Sequence, residues 1–103
     1  MTHEDMVGSV FHFVYSDETY RIEVLSLEKL RWTRIEGEDV GQGDEESYTF
    51  SELAGGLIML SWVEADMLGL SNVLDFKAGT VTTHAKVGRD VHENPGKLRE
   101  ASP

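Results

Sequence analysis

Apolar and polar positions alternate with a period of two along most of the chain. In the run that starts at Gly8, Phe11, Phe13 and Tyr15 fall on one parity, and Val10, His12 and Val14 on the other. β-Branched and aromatic residues in that pattern predict a strand. Ser16-Asp17-Glu18 is a tight polar connection to Tyr20-Arg21-Ile22-Glu23-Val24, which alternates cleanly as a half-buried strand does. Two strands joined so closely make a hairpin. A third strand is expected over Lys29 to Ile35, where Leu30, Trp32 and Arg34 alternate with Arg31, Thr33 and Ile35. Ser47 to Leu53 supplies a fourth, built on Tyr48 and Phe50. Leu57 to Val63 is almost continuously apolar and follows the break at Gly55-Gly56. That run reads as a strand covered on both faces, although its periodicity alone also fits a short buried helix. Gly69 to Phe76 is the sixth strand, and Lys77-Ala78-Gly79 turns it into a seventh, Thr80 to Val87.

Strands spaced about ten residues apart, with no convincing helix among them, predict an antiparallel meander. Closing such a sheet on itself buries one face and removes its edges. The expected fold class is therefore all-β, a small antiparallel barrel of seven or eight strands forming one domain over residues 1–103. Three stretches fall outside the pattern. Residues 1–6 are polar and expected to be loose. Glu36 to Glu46 carries three glycines and six acids, and reads as a mobile, solvated loop. The tail over residues 88–103 is polar, with Asn94-Pro95-Gly96 expected as a turn and Leu98 as its one anchor. On this reading Lys97 to Pro103 is too short and polar to close the barrel. The open edge, together with apolar strand faces on the outside, predicts a homodimer.

The 103 residues carry a formal charge of −10, which repels nucleic acid and anionic membrane surfaces as partners. No apolar run is long enough to span a bilayer, and the N-terminus lacks a charged-then-apolar signal. The absence of cysteine removes disulfides, a thiol nucleophile and zinc–thiolate sites, and a cytoplasmic location is expected. His3, His12, His84 and His92 have no metal-ligand spacing, and neither a phosphate loop nor a G-x-S-x-G elbow is present. No metal or other cofactor is expected.

The chemistry with most to offer lies at Trp62 and Glu64, which share a face if the strand continues through them. Beside an indole and away from water, Glu64 has the setting of a general acid. The competing reading is a solvent-facing turn residue, because Glu64-Ala65-Asp66 closes a hairpin. Phe11, Phe13, Trp32, Leu60, Trp62 and Val73 are the candidate lining of an interior cavity, with Tyr15 and Glu64 as candidate catalytic groups. Solid core packing is the alternative for the apolar members, since a barrel of this size either fills its interior or encloses one small molecule. Tyr15 is informative because a buried hydroxyl needs a partner.

The segments GGLIMLSWVEADMLGLSNVLDF and VHENP, with Val7-Gly8-Ser9 and Phe13-Val14-Tyr15 ahead of them, resemble bacterial phenolic acid decarboxylases and their shorter relatives, the MoaF-like domains. The likeness runs from about Val7 to Pro95. It implies a lipocalin-like (calycin-like) barrel with an apolar interior. In those decarboxylases a buried glutamate protonates the alkene of a para-hydroxycinnamic acid, and carbon dioxide leaves from the resulting quinone methide. Glu64 stands at that place. Two tyrosines and an arginine help to hold the substrate carboxylate. Tyr15 matches the second tyrosine, Phe13 replaces the first, and the arginine's place falls near Gly43. Arg31 or Arg34 is left as a substitute. The resemblance implies a barrel that binds a small apolar or aromatic molecule. The alternatives are a lyase or isomerase using Glu64 as general acid, or a structural protein with a solid core. With its carboxylate clamp depleted, the chain is expected to decarboxylate para-coumaric and ferulic acids slowly or not at all.

Overall fold

The computed structural model describes residues 1–102; Pro103 lies outside the described residues. Eight strands follow one another in chain order: β1 (Val10–Val14), β2 (Thr19–Val24), β3 (Lys29–Glu36), β4 (Gly43–Glu52), β5 (Ile58–Val63), β6 (Gly69–Asp75), β7 (Thr80–Val87) and β8 (Asp90–Ala101). Each is antiparallel to the next, and β8 returns to β1, so the barrel is closed. One parity of every strand points inward. Phe13, Ile22, Leu30, Leu60, Leu74 and Val81 form the buried centre, and the alternation that predicts strands thus also defines the core. No helix among the described residues is long and apolar enough to cross a membrane.

Three expectations are corrected. The polar tail is the longest strand. β8 pairs with β7 from Val87↔Asp90 to Thr80↔Lys97, and with β1 from Val14↔Lys97 to Val10↔Ala101. Asn94-Pro95-Gly96 lies within it and is no turn. Asp90 to Gly96 have β7 as their sole neighbour strand, the edge-like setting in which proline is tolerated. Backbone pairing holds this strand, since Leu98 is its one buried side chain. The open edge that motivated a homodimer therefore does not exist. The other ground for that expectation, apolar side chains on the outside, is present in Val63, Val87 and Val91, which are exposed.

The acidic segment is shorter as a loop than its charge implied, because β4 begins at Gly43. A β-carbon there would lie 2.3 Å from the Trp32 carbonyl oxygen, so glycine is what lets β4 start against β3. Glu45 then projects outward to pair with Arg31, while Glu46 turns inward.

The N-terminus is ordered as a short helix, α1 (His3–Met6). Thr2 caps it in a reciprocal capping box with Asp5. α1 covers the end of the barrel where β1 begins and β2 ends, which we call the lower end. Met6 is fully buried there. The His3 ring stacks on Phe50 at 4.5 Å between centroids, and its Nε2 lies 2.8 Å from the Tyr48 hydroxyl.

Candidate active site

The lower half of the barrel is packed solid, and Phe11 meets Phe76 there at 5.3 Å between ring centroids. The upper half, opposite α1, holds a cavity of about 240 Å³ open at its mouth. Its walls are mainly Phe13, Tyr20, Ile22, Trp32, Trp62 and Leu70. The Tyr20 ring stands edge-on to both Tyr15 and Trp32, at 6.1 and 6.0 Å.

One side of the cavity carries a chain of hydrogen bonds whose direction is settled by its buried end. Asn72, 1% exposed, donates through Nδ2 to the Leu60 carbonyl at 3.0 Å. A carbonyl can only accept, so the amide orientation follows and Oδ1 is left as an acceptor. Thr83 donates its one hydroxyl hydrogen to that Oδ1 at 2.8 Å. The Tyr15 hydroxyl, 2.5 Å from Thr83 Oγ1, must then be the donor of the last bond. The phenolic oxygen therefore offers the cavity lone pairs and no hydrogen. Burial pushes the Tyr15 phenol up to about 12, the bond to Thr83 opposing part of that rise. Gly96 makes this placement possible, since a β-carbon there would lie 2.8 Å from the Tyr15 ring.

Glu64 is both a turn residue and a cavity-lining one. Its N–H donates to the Leu68 carbonyl at 2.9 Å, and its own carbonyl accepts from the Met67 N–H at 2.8 Å. It thus opens the three-residue hairpin connection, in which Met67 takes the left-handed φ of 72° that usually belongs to glycine. Its side chain nevertheless lines the cavity and accepts from Trp62 Nε1 at 3.2 Å. Burial raises the carboxyl above its ordinary 4.5; the Trp62 bond opposes this, Glu46 and Asp66 add to it, and Arg34 works against it. The folded state thus holds the proton more tightly than the unfolded chain does. Stability from this group is therefore lost as pH rises from the unfolded value through the folded one, and the loss persists above it. Glu64→Gln keeps an oxygen for Trp62 and removes the charge. Its unfolding temperature should exceed that of the parent at pH 7 and converge with it near pH 4. Equal stability across that range would place the carboxylate in bulk water.

Arg34 stands at the rim. Nη2 donates to the Tyr20 hydroxyl at 2.8 Å and Nη1 to the Glu38 carbonyl at 3.1 Å, and the guanidinium carbon sits 5.2 Å from the Tyr20 ring centroid. Glu18 and Asp39 carboxylates lie 3.7 and 3.9 Å away, and the buried Nε has no hydrogen-bond partner. Arg31 points outward to Glu45, so Arg34 is the arginine at the cavity. Gly43 stands away from it in the β3–β4 pairing.

Of the residues singled out in the sequence, Phe13, Tyr15, Trp32, Trp62 and Glu64 meet at the cavity. Phe11 and Leu60 face inward but lie deeper, in the solid core. Val73 is on the outer face, because Leu70, Asn72 and Leu74 take the inward parity of β6; it pairs with Met59 and Thr82. Sequence reasoning passed over Asn72 and Thr83. Their one signal is a polar residue at an inward parity, as in Leu70-Ser71-Asn72-Val73-Leu74. It also passed over Glu46, which accepts from Trp32 Nε1 at 3.0 Å, a second indole–carboxylate pair beside that of Trp62 and Glu64.

Comparison with known proteins agrees with this architecture. A crystal structure of a "putative beta-lactamase" from Burkholderia vietnamiensis superposes with a TM-score of 0.86 at 25% identity, covering 98% of this chain and 100% of that one. No curated protein matches the chain. The MoaF-like family model matches residues 7–99, nearly the whole barrel, and it is to the MoaF-like side of the resemblance that the match extends. The chain belongs to the MoaF-like family.

Proposed function

We propose that the barrel binds one small aromatic or apolar molecule in its upper cavity. The observation that carries this reading is a cavity of about 240 Å³ walled by Phe13, Tyr20, Trp32 and Trp62 above a solid lower core. An engineered cavity of about 150 Å³ already takes up benzene, so this volume suits a single substituted ring. Both tryptophans of the chain line it. Titration with neutral 2-phenylethanol should therefore shift both indole N–H proton resonances in a saturable way. Indole signals unmoved at millimolar ligand would sink the proposal.

Glu64 supports a second reading, proton transfer to the bound molecule, because a carboxyl that favours its proton faces the cavity. Decarboxylation of para-coumaric acid is not expected to follow. Phe13 has no hydroxyl, the Tyr15 hydrogen is committed to Thr83, and Arg34 already faces two carboxylates. The cinnamate absorbance should persist with catalytic amounts of protein, and its rapid loss would reverse this expectation. The hydrolase name of the structural neighbour finds little chemistry to rest on. Among the described residues no serine lines the cavity, and Ser61 donates to Ser71 across the outer face. No group of three His, Cys, Asp or Glu among them is placed to hold a metal.

A further inference from the structure

We propose that the cavity is built for an aromatic amine, with the ring between the aromatic walls and the ammonium group among Tyr15, Glu18 and Glu64, in preference to an aromatic carboxylate. This rests on the binding reading above and adds the sign of the ligand's charge. Three features of the cavity point the same way.

The first is the direction of the Asn72–Thr83–Tyr15 chain. Its last hydrogen is spent on Thr83, so Tyr15 can accept a hydrogen from a ligand but cannot give one to a carboxylate. An ammonium group brings three hydrogens and no acceptor, which is the complement.

The second is the charge around the mouth. Glu18, Glu64 and Asp66 line it against the single guanidinium of Arg34. Arg34 is already engaged by the Tyr20 hydroxyl, the Glu38 carbonyl and the carboxylates of Glu18 and Asp39, and its Nε, which makes no hydrogen bond, lies 3.7 Å from Glu18 Oε2. An incoming anion meets three carboxylates against one guanidinium that is already paired; an incoming cation finds its partners.

The third is the wall itself. The faces of Trp and Tyr carry negative potential, so Tyr20, Trp32 and Trp62 attract a cation near the ring plane and disfavour an anion there. Glu64 is held in a setting where its charge lacks water, and an ammonium group supplies the missing counter-charge. Amine binding should accordingly be weaker where Glu64 is protonated and its charge is absent.

The test is calorimetric titration of the full chain at pH 7 with three ligands of matched ring and length: 2-phenylethylamine, 2-phenylethanol and 3-phenylpropanoate. The amine is expected to bind about tenfold more tightly than the alcohol, the scale of one well-placed cation contact, and the acid more weakly still. The advantage of the amine over the alcohol should shrink when the titration is repeated at pH 4, where Glu64 holds its proton. Glu18→Gln and Glu64→Gln should each narrow the gap between amine and alcohol. If the acid binds as well as the amine, or the alcohol matches it, the charge preference is wrong while the binding reading stands. If none of the three binds, the binding reading fails and this inference with it.

Discussion

Met6→Ala should lower the stability of the protein by about 3 kcal/mol, the usual scale for emptying a fully buried large side chain. That corresponds to a fall of roughly 10–20 °C in unfolding temperature for a domain of this size. Met6 is 0% exposed and belongs to the same cluster as Val24, Leu30 and Leu60. It closes the lower end of the barrel, where the surrounding strands cannot collapse inward to fill the space because their pairing is closed on both sides. Thermal unfolding followed by far-ultraviolet circular dichroism checks the claim. A fall of only a degree or two would mean that α1 lies loosely over the barrel end and does not plug it. The effect would be unremarkable for a core residue. It is informative here because the sequence places Met6 in a polar N-terminal stretch.

Asn72→Leu should cost a similar amount, about 3 kcal/mol, although it replaces an amide by an apolar side chain of nearly the same shape. The cost lies in the partners. The Thr83 hydroxyl loses the acceptor of its hydrogen and the Leu60 carbonyl loses a donor, both in a buried setting. Each buried polar group left without a partner costs about 1–3 kcal/mol. Adding Thr83→Val removes one stranded group and should restore part of the loss, so the two changes should be strongly non-additive in chemical denaturation. Simple additivity would show that the three side chains do not act as one unit. The same double variant frees the Tyr15 hydrogen, and it should weaken the discrimination against 3-phenylpropanoate.

Much of the fold is written in the alternation of the chain. Strands β1, β2, β3, β6 and β7 are legible because each buries one parity, and burial demands apolar residues at every second position. β5 is legible as a strand, but the expectation that both its faces are covered is corrected: Ile58, Leu60 and Trp62 are buried, while Val63 is exposed on the outer face. β8 is illegible for the converse reason. Its place depends on hydrogen bonds to β7 and β1, and backbone groups are the same in every sequence. The start of β4 is hidden in a run of acids, since opposite faces of one strand send Glu45 to solvent and Glu46 to Trp32. α1 is hidden because four residues are too few to display a helical period, even though the Thr2–Asp5 capping pair stands in plain sight.

The candidate site divides in the same way. The sequence by itself determines that Trp62 and Glu64 share a face if extended backbone runs through both, and that Phe13 brings no hydroxyl. β5 ends at Val63, and only the structure decides that Glu64 still turns to the cavity beside Trp62. Which interior residues border open space and which are packed solid is decided only by the tertiary structure. Phe11 and Phe13 have the same parity and the same chemistry, yet one ends in the lower core and the other at the cavity. That difference is a matter of height along the barrel, since the two lie two residues apart on β1, and which height borders open space is set by the side chains the other strands bring there. The polarity of Tyr15 is likewise settled far from it in sequence, by a Leu60 carbonyl that can only accept. Local spacing sets the direction of a side chain, but its neighbours across a barrel come from eight pairings at once, and no single stretch of the chain contains them.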